Sequence, residues 1–405
     1  MIWWPSDLRF EAKISKLSSL LSDPRMNPKG YILITSQTFF CINMYPVTDL
    51  DKCLEHSLTY QLVLVYGTKP FSVVVVQIRQ HLKTGGDMNK LVILLSATIT
   101  FCSSGLAVAA NQSEPLNLDE LTAAFGWDMD RTAITTEKVT DNLYVLFGVG
   151  GNIGVSIGSD GVLIVDNQFP NMMSKIDAAV KKLGADDIDL AVNTHWHFDH
   201  AEGNLALGPR GTILVAHSNA RANMAAGGII NLVQSKYRQQ PYPEDALPVL
   251  TYDSGMQLYY NDEIIDIRHF SPAHTTGDSA VIFRKQNAVH LGDVFNNSGY
   301  PFIDADSGGD IDGMIAFCAQ TLAQMKPGAM VIPGHGPITD LKALEDYIKM
   351  LETIRGRVSK MMDDGMTMEE VVAAKITQDY DGRYGDESAS LGFVNRVYTS
   401  LKKKR

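Results

Sequence analysis

Three short runs near the middle of the chain, NLYVLFG, NIGVSIG and GVLIVDNQ (142–168), are rich in β-branched and apolar residues and are separated by glycines, a pattern that predicts consecutive antiparallel strands. The period then changes. Between Asn171 and Leu183 the apolar residues Met172, Ile176, Ala179 and Val180 fall on one side of a helix that stops before Gly184, and Ile188 to Asn193 returns to strand. The theme repeats: strand TILVAH, a helical and loop-rich stretch from Ser218 to Val249, strands in EIIDIRHF, SAVIFRK and NAVHLGD, a helix from Asp312 to Met325, and strand MVIPG. Asp340 to Asp363 reads as an amphipathic helix, and Thr367 with Glu370 forms a capping box that opens another. No repeat of solenoid period is present. The pattern is α/β, two strand-rich halves interleaved with helices.

Composition narrows this picture. The 405 residues, 45% hydrophobic and 20% charged, suit a folded protein with a sizeable core, as one large enzyme domain or two to three ordinary ones. A net charge of -11 argues against nucleic acid as a partner, since phosphate backbones call for a basic face. The cationic end Lys402 to Arg405 reads as a solvated terminus.

A secretory signal pattern lies inside the chain. From Met88, Lys90 supplies the positive start, Leu91 to Phe101 the apolar run, and Ala107-Val108-Ala109 an A-x-A cleavage site, leaving Ala110 at the mature terminus. The apolar run is shorter than the ~20 residues that span a bilayer, so cleavage and release to the periplasm or exterior are expected, without stable membrane insertion. Cys102 follows Thr-Phe where a lipoprotein signal would place small residues. Residues 1–87 carry no motif with chemistry, and Met88 reads as the initiator. The expected organisation is then an upstream segment (1–87), a signal peptide (88–109), a catalytic domain (110–340) and a C-terminal helical extension (341–405) packing on that domain. Cys318 alone of four cysteines lies beyond the signal, which leaves no intramolecular disulfide; in an apolar helix it reads as a packing residue.

The chemistry concentrates in His195-Trp196-His197-Phe198-Asp199-His200, four metal-ligand types within six residues at a strand end. A lone histidine there would be an ordinary loop residue; three with an aspartate among them point to metal, and imidazole with carboxylate suits zinc, iron or manganese. Three further candidates follow apolar β-runs: His274 in SPAHTTGDS, Asp293 in HLGDVF and His335 in IPGHGP. Gly292, Gly334 and Gly336 beside them allow tight turns and close backbone approach.

This order, H-x-H-x-D-H followed by His, Asp and His, resembles the metallo-β-lactamase superfamily over roughly Glu137 to Asp340. The resemblance implies a four-layer αβ/βα sandwich and two divalent metal ions, expected to be Zn2+. His195, His197 and His274 would hold one ion, Asp199, His200 and His335 the other, and Asp293 would bridge them. Asp166 in LIVDNQ matches a position that braces the motif loop. Each ion keeps an open position, so a bridging hydroxide would attack a small-molecule substrate's ester, thioester, lactone or related bond, with Asp199 orienting it and passing a proton to the leaving group.

Two alternatives stand beside this. True β-lactamases of the superfamily place cysteine or serine where Asp293 stands, which counts against a dedicated β-lactam hydrolase. A mononuclear iron oxygenase of the persulfide dioxygenase type uses fewer ligands than the seven present. Histidines 56, 81, 217, 269 and 290 read as structural, Trp196 as either pocket wall or core, and Tyr380 and Tyr384 in DYDGRYGD as either a cover for the site or part of a surface turn. Substrate identity, protein partners and oligomeric state are not legible.

Overall fold

The computed structural model describes residues 114–405 throughout and, ahead of them, the backbone of five strands. The chain divides into two units, Met1–Asn111 and Gln112–Arg405. The first holds an antiparallel meander of β1 (Tyr31–Thr35), β2 (Thr38–Ile42), β3 (Ser57–Tyr66), β4 (Ser72–His81) and β5 (Leu94–Thr100). β5 falls within the apolar run expected of a signal peptide; Lys90, Ala107 to Ala109 and His56 lie outside the described residues.

The second unit opens with α1 (Leu118–Phe125), followed by β6 (Thr135–Lys138), β7 (Leu143–Phe147), β8 (Ile153–Gly158), β9 (Gly161–Val165), α2 (Met173–Lys182) and β10 (Leu190–Val192). Next come α3 (Phe198–Ala201), α4 (Asn204–Leu207), β11 (Ile213–His217), α5 (Ser218–Ala226), the hairpin β12 (Gly228–Asn231) and β13 (Lys236–Gln239), and β14 (Leu250–Tyr252). The second half carries β15 (Gly255–Tyr260), β16 (Glu263–Arg268), β17 (Ala280–Phe283), β18 (Ala288–His290), α6 (Ile311–Gln324), β19 (Met330–Ile332) and β20 (Thr339–Asp340). Four helices complete it: α7 (Leu341–Asp363), α8 (Met368–Ala373), α9 (Gln378–Tyr384) and α10 (Glu387–Lys402).

One sheet has the order β14-β11-β10-β9-β8-β7-β6 and the other β15-β16-β17-β18-β19-β20. Both begin as antiparallel meanders and then take up parallel strands, β9-β10-β11-β14 in the first and β18-β19 in the second. The period-two alternation of each strand sorts its side chains into layers. Leu163 and Val165 join Ile265, Ile267, Val281 and Phe283 in a core between the sheets. Val162 and Ile164 turn the other way, onto Met173, Ile176 and Val180 of α2. Ala280 and Ile282 likewise face out, onto Met314 and Phe317 of α6 and Leu344, Tyr347 and Leu351 of α7. The architecture is the four-layer α/β sandwich, helices outside and two sheets within. Among the described residues no helix is long and apolar enough to cross a membrane.

α8 opens on the capping box of Thr367 and Glu370, as its sequence indicates. The tail departs from the sequence reading at Tyr380 and Tyr384, which lie on α9 and not in a surface turn, with Tyr384 buried against the outer core. Its Gly and Asp residues suggested a turn, but tertiary packing of Tyr384 onto Tyr300 and Tyr347 outweighs that local preference. The hairpin β12-β13 also escapes a periodicity reading, because only Ile230, Tyr237 and Gln239 of it are buried. α7 starts where Asp340 accepts a hydrogen bond from Ala343 N at 3.0 Å. Asp340→Ala should therefore lower stability by about 1 kcal/mol, seen by calorimetry as a Tm drop of about 2 °C.

Candidate metal centre

Four of the candidate donors leave one loop. β10 ends at Val192, the chain passes through Asn193 and Thr194, and His195, His197, Asp199 and His200 follow, all buried. The loop is shaped from the neighbouring strand by Asp166, whose backbone is left-handed at φ 64°. Its carboxylate accepts from Thr194 N at 2.7 Å and Thr194 Oγ1 at 2.8 Å, and meets His200 Nδ1 at 2.7 Å. One buried acid thus fixes both the loop's course and the ring that ends it.

The other donors come from the second sheet. His274 stands in the loop between β16 and β17, tied by Asp278, which accepts from Thr275 N at 2.8 Å and Thr275 Oγ1 at 2.7 Å. Asp293 follows β18 and His335 follows β19 at the ends of parallel neighbours. Asn152 holds the His335 turn by donating to Pro333 O and Gly336 O at 2.9 and 2.8 Å. A Cβ on Gly334 would collide with Asp293 Oδ1, so only glycine lets the two loops meet.

The rings are oriented from outside. His197 Nε2 faces Asp304 Oδ2 at 3.1 Å, which turns Nδ1 inward, 2.8 Å from His274 Nε2. His274 Nδ1 donates to Phe302 O at 2.7 Å. His195 Nδ1 lies 3.0 Å from Thr194 Oγ1, and its Nε2 is buried without a hydrogen-bond partner among the described residues. His195, His197 and His274 thereby gather their inward atoms within 4.8 Å of one another, as do Asp199, His200 and His335. His335 Nε2 is 3.1 Å from Asp199 Oδ2 and 3.2 Å from His200 Nε2. Asp293 stands between the groups, Oδ1 at 3.2 and 3.4 Å from His200 and His335, Oδ2 at 3.7 Å from His274.

Lone pairs converging on a buried point, with an orphaned His195 Nε2 and Asp293 Oδ1, are what a cation would satisfy. The donor set is nitrogen and oxygen, with outer hydrogen bonds of the kind that orient ligands. Charge follows the same division. Burial, with His200, His274 and His197 adding to it, pushes His195 well below an ordinary histidine, and burial with His197 lowers His274. Burial opposes the charged form of His335 too, yet Asp293 and Asp199 raise it to about 10, and Asp293, Asp199 and Asp166 hold His200 well up in the same way. Burial works against the Asp293 carboxylate, but His335 and His200 keep it well below the usual range. The two lowered histidines, His195 and His274, thus fall in one donor group and the two raised ones, His200 and His335, in the other.

Asp304 escaped the sequence reading because DADSGGDID offers several acids at uninformative spacing. Its loop interlocks with that of His274, Asp304 N donating to His274 O at 2.9 Å. It is also braced from α10: buried Arg396 donates to Asp306 at 2.7 Å, Asn231 joins the same carboxylate oxygen at 2.8 Å, and Ser400 Oγ accepts from Ile311 N at 3.0 Å. Asp304→Asn should weaken metal affinity at the three-histidine group by about 10-fold, read by metal-competition titration.

Three of the histidines read as structural bond to backbone. His217 meets Asp253 O, His269 meets Asp278 O and His290 meets Asn152 O, at 2.7, 2.8 and 3.1 Å. Trp196 is core, packed between the first sheet and its helices, with its carbonyl taking Gln239 Nε2 at 2.7 Å. Cys318 is fully buried and burial pushes its thiol up, so it should resist thiol reagents until the protein unfolds, a contrast that labelling with and without denaturant will display. In front of the donors opens a cleft of 180 Å³ reached by Asp199, Asp293, His197 and His335.

Residues 148–346 match the family model described as the metallo-beta-lactamase superfamily. A probable metallo-hydrolase of Methanocaldococcus jannaschii is 25% identical over 210 residues, half of this chain and 96% of that protein. Among solved structures, the sec-alkylsulfatase Pisa1 from Pseudomonas sp. is similar in fold, with a TM-score of 0.51 and 15% identity over 65% of this chain and 50% of that one. The DIM-1 metallo-beta-lactamase is 20% identical, with a TM-score of 0.43 over 55% of this chain and 98% of that one.

Proposed function

The chain belongs to the metallo-β-lactamase superfamily of metallohydrolases, and from that premise we propose that it is a zinc-dependent hydrolase holding two ions and cleaving an ester, thioester, lactone or related bond. The observation that carries this is the placing of Asp293, whose two oxygens face the histidines of both donor groups. His195, His197 and His274 are assigned to one ion, Asp199, His200 and His335 to the other, with Asp293 shared. Bound there, the ions would supply a hydroxide nucleophile near neutral pH and polarise the scissile carbonyl. The chain's own residues do the rest. Asp199 reaches the cleft with Oδ2 on the His335 side, and we assign it the orientation of the nucleophile and delivery of a proton to the leaving group. Asp166, Thr194 and Asp304 hold ring orientation so that the reacting geometry is preset.

Elemental analysis with thioester, lactone and cephalosporin reporters tests the reading. Two zinc per chain with ester-type turnover is the expected result; one redox-active iron would redirect it to an oxygenase, and a metal-free protein would overturn it. We further propose export to the periplasm or exterior, supported by the segment from Lys90 to Ala109. Terminal sequencing of the protein recovered outside the cytoplasm should begin at Ala110, and retention of residues 88–109 would refute cleavage.

A further inference from the structure

The wall of the cleft opposite the metal donors is built of Phe125, Trp127, Phe198, Leu232 and Phe302, and no lysine or arginine is among the described residues that line it. Two segments far apart in sequence make it. Leu116, just before α1, exchanges backbone hydrogen bonds with the hairpin, its N donating to Lys236 O at 2.8 Å and its O accepting from Arg238 N at 3.1 Å. That brings the end of α1 beside Leu232 on the hairpin turn. Gly126, left-handed at φ 68°, then folds the chain back so that Trp127 stacks on Phe125, centroids 5.0 Å apart, and meets Phe169 and Phe198 edge-on or tilted at 5.8 and 6.4 Å. Phe125 is nevertheless 47% exposed. The wall is therefore a packed aromatic surface whose edge, at Phe125, is open to water.

We propose that the non-reacting part of the substrate is an uncharged alkyl or aryl group seated on this wall, so that the enzyme selects apolar acyl or alcohol moieties and rejects substrates with a second anionic group. The inference rests on the hydrolase reading, because the cleft is the same. Its physical basis is twofold. Each methylene removed from water against such a wall strengthens binding about fourfold. An anionic group placed against the wall would lose hydration with no lysine or arginine there to receive it, facing aromatic rings away from the donors.

The test uses the zinc-supplemented full chain titrated with acetohydroxamate, octanohydroxamate and suberic monohydroxamate, the ω-carboxylated analogue, followed by calorimetry and tryptophan fluorescence. Octanohydroxamate should bind at least tenfold more tightly than either of the others, and Trp127→Ala or Phe302→Ala should erase that margin. Leu232→Ser, on a half-buried turn, serves if the aromatic variants lose stability. Equal affinities, tighter binding of the carboxylated ligand, no binding of octanohydroxamate, or a preference that survives all three substitutions overturns the proposal. If the ranking holds while no ester is hydrolysed, it is the hydrolase reading that fails and not the apolar recognition.

Discussion

Asp293→Ala is expected to reduce hydrolysis by about 10³-fold, equivalent to about 4 kcal/mol of transition-state stabilisation, and to lower bound zinc from two ions per chain to one or fewer. Alanine removes the one carboxylate that faces both donor groups, leaving His200 and His335 turned toward each other at 3.2 Å with Asp199 beside them and Asp166 behind His200. The fold should survive, since Asp293 sits in a short turn after β18 and belongs to none of the three hydrophobic cores. Elemental analysis and kcat/KM on the same preparation provide the check. Two retained ions with activity within tenfold of the parent would remove Asp293 from the bridging role.

Asp166→Ala should act on stability and metal together. The substitution strips the partner from Thr194 N, Thr194 Oγ1 and His200 Nδ1 at once, all buried, and leaves Asp166's left-handed backbone to a residue that tolerates it less. Loss of about 3–5 kcal/mol is expected, with metal affinity at the Asp199, His200 and His335 group down by about 10- to 100-fold. Denaturant unfolding of the metal-free protein reports the first effect and competition with a chelator the second. Asp166→Asn separates them: it keeps an acceptor for Thr194 N, so its stability loss should be the smaller while its affinity loss persists. Equal unfolding midpoints for parent and alanine variant would show that the loop does not depend on this acid.

The two halves of the sandwich were legible because their strands obey period two and their glycines mark the turns, so that Leu143 to Val165 and Ile265 to Phe283 announce both pairing and faces. The seven residues that the structure gathers were legible on other grounds: histidine and aspartate clustered at strand ends, in a fixed order, suit metal ligation far better than they suit packing or turn formation. What surrounds them was not. Asp304 meets His197 across more than a hundred residues, and nothing in its own neighbourhood distinguishes it from Asp306 or Asp310. Trp127 and Phe125 resemble any aromatic pair near a helix end until the Leu116 pairing to the hairpin turns them onto the cleft. α9 and α10 lack the clean amphipathic spacing of α7; contacts of α9 with α7, and of α10 with α7 and α8, specify them instead, and such contacts leave little trace in local composition. Outer support and specificity are tertiary properties, whereas ligands must be particular residue types.

The clamp from α10 onto the Asp304 loop gives the order of synthesis a meaning. A ribosome has made every metal donor once His335 has emerged, yet the helix that carries Arg396 and Ser400 is still unmade. Until then the loop that carries the partner of His197 keeps its hydrogen bonds to His274 and Asn231 but lacks those from Arg396 and Ser400. The setting of the His197 ring thus draws on residues far beyond the final donor, so a cut between α7 and α10 would loosen that ring without removing a single ligand.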